Sequence, residues 1–150
     1  MKQRKRQSPA ELSYYGLYLL KHLQDNKFEQ ASDRTFIKAR ADHAAEVYER
    51  ARLDGHSPDG AQELAMSALV RGLHHSKYSL LLEVVESEFT EEIPEDRREA
   101  FVERLLPLVD NVFSIYDLTD DLFSLSPGYE NLYLELTGAI ALYLEAYGVQ

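Results

Sequence analysis

Residues 32–55 read SDRTFIKARADHAAEVYERARLDG, and this stretch decides the fold class. Ser32 and Asp33 are cap residues, Ile37, Ala41, Ala44, Tyr48 and Ala51 recur at steps of four and three, and Gly55 offers a left-handed stop. A beginning, an apolar stripe and an end together define one amphipathic helix. Its face is built from small residues. Ala41, Ala44, Ala45 and Ala51 would let a neighbouring helix approach closely, while Glu46 and Arg50 have the spacing of an outward i,i+4 ion pair.

The same grammar repeats on both sides. Upstream, Ser8, Pro9 and Glu11 stand in capping-box register, which predicts a helix from Ala10 to about Asn26. Its stripe of Leu12, Tyr15, Leu19 and Leu23 is widened by Tyr14, Leu17, Tyr18 and Leu20, so a central position is expected. Downstream, Ser57-Pro58 restarts the chain with Ala61, Leu64, Ala65, Ala68 and Leu69 in register. Gly72 and the pair His74-His75 interrupt that pattern, and a fourth helix from about Ser76 to Phe89 either follows or continues it. Pro94 with Glu95 and Asp96 puts acids at the positive end of a fifth helix, whose stripe from Phe101 to Tyr116 runs through Pro107 and should kink or split there. After a turn region, Asp117 to Ser126, the last helix runs from about Tyr129 to Tyr147 on Leu132, Leu136, Ile140, Tyr143 and Tyr147. No alternating segment suggests a strand, and no 33–47-residue period suggests a solenoid. The expectation is an all-α, single-domain multi-helical bundle of five to seven helices over residues 8–150, with no sheet, preceded by a disordered basic tail at 1–7.

Charge is distributed unevenly along the 150 residues. Residues 1–82 hold 13 Lys+Arg against 10 Asp+Glu, residues 83–150 hold 3 against 16, and no basic residue follows Arg104. Such asymmetry bears on partners and solubility rather than on fold. Zero cysteine excludes disulfides, thiolate zinc sites and cysteine nucleophiles. No apolar run approaches the roughly 18 residues of a membrane helix, and MKQRKRQSPAEL has no apolar signal core, so a soluble, cytoplasmic protein without membrane contact is expected.

The chemistry of known motifs is equally constrained. All seven glycines are isolated, which removes phosphate-cradling loops; H-E-x-x-H, paired E-x-x-H and G-x-S-x-G are absent. No cofactor, metal or catalytic residue is therefore expected. A helix-turn-helix forced onto residues 61–85 would place HSKYSLLLEVVE in the groove, where one lysine and a leucine stripe read bases poorly, so no specific nucleic acid is expected.

Three features remain as candidate sites. Arg40, Asp42, His43, His74 and Tyr78 form a candidate polar patch; the alternative for the first three is a solvated helix face, and for the histidines a helix junction in which one caps carbonyls and the other is exposed or packs against Tyr78 or a neighbouring helix. Glu91, Glu92, Glu95, Asp96 and Glu99, extended by Asp117, Asp120 and Asp121, form a candidate acidic docking face for a basic protein; the alternative is an acidic surface that keeps the protein dissolved. Tyrosines crowd the first helix (14, 15 and 18) and the last (129, 133, 143 and 147), which either pack edge to edge in the monomer or build a homo-oligomer interface.

The strings ELSYYGLYLLKHL, FIKARADHAAEVYERAR, GAQELAMSALVRGLHHSKY and YENLYLELTGAIALYLEAYG, together spanning most of residues 8–148, resemble a small all-helical domain family of unknown function from Bacteroidetes bacteria. The resemblance implies a cytoplasmic helical protein in the setting of conjugative and other mobile elements, and it transfers no catalytic residue. In the resembling pattern the second residue of the His74-His75 pair is usually aromatic, so His75 is a departure that weakens any metal or catalytic role for the pair. The resulting expectation is a non-enzymatic accessory or adaptor protein working through protein–protein contacts. Two other classes stay open: a small-ligand binder or enzyme with a pocket near Arg40, His43, His74 and Tyr78, and an acidic DNA mimic that occupies a basic nucleic-acid-binding protein.

Overall fold

The computed structural model describes residues 12–149. They form six α-helices joined by turns and three short 3₁₀ segments, with no strand among the described residues. By its internal contacts the chain groups into two compact units that divide between Arg71 and Gly72, and each is built on its own logic.

The first unit holds α1 (Tyr14–Asp25), a 3₁₀ turn at Glu29–Ser32, α2 (Arg34–Leu53) and α3 (Pro58–Leu69). Asp33 caps α2 through the Phe36 amide, and Ser57 caps α3 through the Gly60 amide with Pro58 in the first turn. Ala41, Ala44 and Ala51 on α2 and Ala61, Ala65 and Ala68 on α3 are buried, so the small-residue face does what its composition implies and brings these two helices together. Ala45 is exposed and takes no part. Ile37, Leu19, Leu23 and Leu69, all fully buried, fill the space that α1 closes.

Two expectations for α1 need correction. The helix begins at Tyr14, and its cap is Ser13, whose hydroxyl accepts from the Gly16 amide at 3.1 Å. Ser8, Pro9, Glu11 and the tail 1–7 lie outside the described residues. Nor is α1 buried around most of its circumference: Gly16, Leu19, Leu20 and Leu23 are inside, whereas Tyr14, Leu17 and Tyr18 are exposed. A helix that packs on α2, α3 and the 29–32 turn presents one stripe to them, and Tyr14, Leu17 and Tyr18 lie off that stripe.

The second unit holds α4 (Lys77–Glu88), a 3₁₀ turn at Glu95–Arg97, α5 (Arg98–Phe113), a 3₁₀ turn at Phe123–Leu125 and α6 (Pro127–Tyr147). Helix α4 is not continuous with α3. Gly72 at φ +76° ends the run, and Ser76 starts a new helix with a reciprocal capping box to Ser79. Phe101, Phe113, Leu81, Ile93, Leu105, Leu132, Leu136 and Ile140 are fully buried and make one core. Helix α5 runs through Pro107 without being split, because Pro107 lies on an exposed side where solvent can serve the carbonyl that loses its donor.

Candidate functional site

In the first unit an open groove of about 430 Å³ lies between α2 and α3. His43, Glu46 and Arg50 line it from one face of α2, with Asp54 at the C-terminal cap of that helix, His56 at the turn and Arg71 just beyond α3. Spacings of three and four put the α2 residues on one stripe of the helix. Glu46 and Arg50 make no ion pair with each other among the described residues, contrary to the expectation from their spacing; both line the groove.

Most of the polar patch is engaged elsewhere. Arg40 donates from Nη1 to the carbonyls of Leu69 (3.0 Å) and Arg71 (2.8 Å), and its guanidinium lies 5.0 Å from the Phe36 ring centroid. It therefore closes the C-terminal end of α3, where a cation complements the carbonyl dipoles. Asp42 pairs with Lys38 at 3.2 Å on an exposed surface. Tyr78 is buried in the core of the second unit, which removes it from any surface patch. His43 lines the α2–α3 groove beside Glu46 and Arg50, which their spacing marks as an ion pair rather than as part of a site.

At the start of the second unit, His74 Nδ1 lies 2.8 Å from Asp121 Oδ1, and both oxygens of Asp121 accept from the Gly72 amide, at 2.9 and 3.1 Å. Asp121 thus clamps the 72–74 turn, and what it touches is backbone and one imidazole. His75 packs edge-on against Phe123 at 5.9 Å between centroids, and its Nε2 is buried without a hydrogen-bond partner. No group of three or more His, Asp or Glu among the described residues could hold a metal ion.

Tyrosines carry a pattern that no local reading reveals. Tyr129 donates to Glu83 and Tyr133 to Glu88, tying α6 to α4, while Tyr116 donates to Glu135 at 3.0 Å. In the first unit Tyr15 donates to Gln62 at 2.7 Å, linking α1 to α3. Partial burial, then the Glu83 hydrogen bond and charge, push the Tyr129 phenol up to about 12. Tyr133 and Tyr116 are raised in the same way, by loss of hydration first, with Glu88 and Glu135 respectively adding to it. Tyr15 of the first helix and Tyr129 and Tyr133 of the last each bond within their own unit, while Tyr14, Tyr18 and Tyr147 are exposed.

The acidic segment is surface throughout. Glu91, Glu92, Glu95, Asp96 and Glu99 are all exposed, whereas Ile93 between them is fully buried and anchors the segment. Arg98 donates to the carbonyls of Ile93 and Thr90, Arg104 to that of Val149, and Lys77 pairs with Asp110 at 2.6 Å. Three of the four cations in residues 72–149 are thereby held internally.

The described fold, six α-helices with no strand among the described residues, is that of a small all-helical domain. Residues 7–149 match the family described as "Domain of unknown function (DUF1896)", and the chain belongs to that family. It is similar to protein PG0816 from Porphyromonas gingivalis, known from a crystal structure, at 38% identity over 94% of this chain and 95% of that one, with a TM-score of 0.82. No functionally curated protein matches it. No helix among the described residues is long and apolar enough to cross a membrane.

Proposed function

We propose that the chain is a non-enzymatic accessory protein that acts in the cytoplasm through protein–protein contacts, with its acidic second half recognising a basic partner. One observation carries this reading: the exposed run Glu91, Glu92, Glu95, Asp96 and Glu99 belongs to a unit whose cations are mostly held by its own carbonyls and carboxylates. The charge of that unit is predominantly of one sign, 16 acids against 4 bases in residues 72–150, and such fields steer encounter with surfaces of opposite sign. A mobile-element setting is part of the proposal and follows from the family resemblance alone.

The test begins with capture of a basic partner from the native host. Association rates are then compared for the wild type and the Glu91→Gln, Glu92→Gln, Glu95→Gln triple variant across a salt series. A lower rate and a shallower salt slope in the variant support docking at this segment; an unchanged rate and slope, with helicity intact, overturn it. A second reading rests on the α2–α3 groove, where Glu46, Arg50, His43 and His56 suit a small polar ligand. A metabolite-library thermal-shift screen, followed by His43→Ala and Arg50→Ala, would test it.

A further inference from the structure

We propose that the outward face of α6 is a docking surface for a basic amphipathic helix of a protein partner; this rests on the adaptor reading and names the surface and the kind of ligand. Helix α6 buries Leu132, Leu136 and Ile140. On the opposite side Leu134, Gly138 and Leu142 follow at i, i+4 and i+8, one continuous stripe, with the two leucines 67% and 68% exposed. A helix with leucines on both faces needs one set for its own core and leaves the other to be covered.

Gly138 is the second observation. It sits mid-way along a 21-residue helix, where glycine is destabilising relative to alanine, and a Cβ built on it would meet nothing within 4 Å. Packing inside the molecule does not require it. What glycine provides there is a notch of bare backbone between two leucine ridges, the shape into which the ridge of a second helix fits closely.

Charge selects the occupant. Glu130, Glu135 and Glu145 share this outward half of the helix, and α6 carries no Lys or Arg. The acids span about 22 Å at 1.5 Å per residue, enough to meet cations spread over four turns of a partner helix. A second copy docked through the same face would set Glu against Glu, and an anionic lipid surface would be repelled by the same acids. A helix with leucines or isoleucines on one stripe and lysines or arginines beside it satisfies both the apolar ridge and the carboxylates.

The probe is an 18-residue peptide with leucine at i, i+4 and i+7 spacing flanked by lysine, tested on the full chain beside a scrambled peptide of identical composition and an analogue with glutamate for lysine. Expected are amide chemical-shift changes confined to the neighbourhood of residues 130–146 and at least tenfold weaker binding of both control peptides. Gly138→Gln fills the notch with a good helix former, and should weaken binding at least tenfold while helicity and melting temperature hold or rise. Shifts centred on residues 91–99 or on the α2–α3 groove, equal binding of the scrambled peptide, or full binding by Gly138→Gln would each overturn the proposal. So would a concentration-dependent dimer that Gly138→Gln disperses. The triple glutamine variant at 91, 92 and 95 should bind the peptide within twofold of wild type, which separates failure of this surface from failure of the acidic segment; a larger loss there would overturn the assignment to α6.

Discussion

Tyr129 shows how much a single side chain can report. Its phenol is pushed up to about 12, chiefly by loss of hydration and then by Glu83, so the folded state favours the neutral form relative to an unfolded tyrosine near 10. This contribution is fully present below pH 10 and is lost as pH rises from about 10 through about 12, where the unfolded chain releases the proton first. Chemical denaturation across that window should show a steeper loss of stability in the wild type than in Tyr129→Phe; parallel curves would remove Tyr129 as the titrating group. At the 72–74 turn, Asp121 holds the Gly72 amide and His74 together. Asp121→Ala should cost about 1–3 kcal/mol, the usual penalty for stranding partly buried partners, and Gly72→Ala about 1–2 kcal/mol, since its φ of +76° is strained for any residue with a Cβ. Urea melts of both variants check these values. None of these residue-scale links is legible in the sequence, because each joins positions far apart: Tyr129 with Glu83, Asp121 with Gly72, Arg40 with the Leu69 carbonyl. Periodicity places a polar side chain outside the core, but it does not say which backbone group will consume it.

At the scale of elements the sequence is far more informative. Asp33, Ser57 and Ser76 are caps where their local patterns predict, because a cap is decided within four residues. The same locality misleads at the first helix, where the register of Ser8, Pro9 and Glu11 outweighs the lone Ser13 that in fact caps α1. The groove residues were also within reach, since positions 43, 46 and 50 fall on one face of α2 and 54 at its C-terminal cap. Reading 46 and 50 as a self-contained ion pair concealed them. The alanine face of α2 makes a sharper test of packing. Ala44 and Ala65 are fully buried in the first unit, whereas Ala45 is exposed. Leucine at 44 or 65 should destabilise by about 1–3 kcal/mol, because three carbons must displace a packed helix, while leucine at 45 should stay within about 0.5 kcal/mol of wild type. Equal melting temperatures for Ala44→Leu and Ala45→Leu would mean that the two helices are not held together by this face.

For the molecule as a whole, the governing quantity is the sign of its charge. Residues 72–150 carry 16 acids against 4 bases, and the bases are mostly committed to local bonds. Repulsion among the remaining carboxylates opposes compaction of that unit. The exposed ion pairs Lys21–Asp25, Lys38–Asp42 and Lys77–Asp110 act in the opposite sense, but each is worth only about 0–1 kcal/mol. Salt weakens both effects, since the screening length falls from about 10 Å at 0.1 M to about 3 Å at 1 M. With so many more like pairs than opposite ones, repulsion is the larger loss, and added salt should stabilise the protein. The melting temperature should therefore rise between 20 mM and 500 mM sodium chloride, by about 2–4 °C for each kcal/mol of repulsion removed in a chain of this size. Glu91→Gln with Glu92→Gln should raise the low-salt value and flatten the slope, since neither residue lies in a helical first turn. Glu95→Gln should not, because Glu95 sits in the first turn of the 3₁₀ segment leading into α5, where a negative charge is favourable. A melting temperature that falls with salt, or that ignores the Glu91 and Glu92 substitutions, would show that these acids are already neutralised within the fold, and would leave the predominantly negative field that underlies the docking proposal without a source.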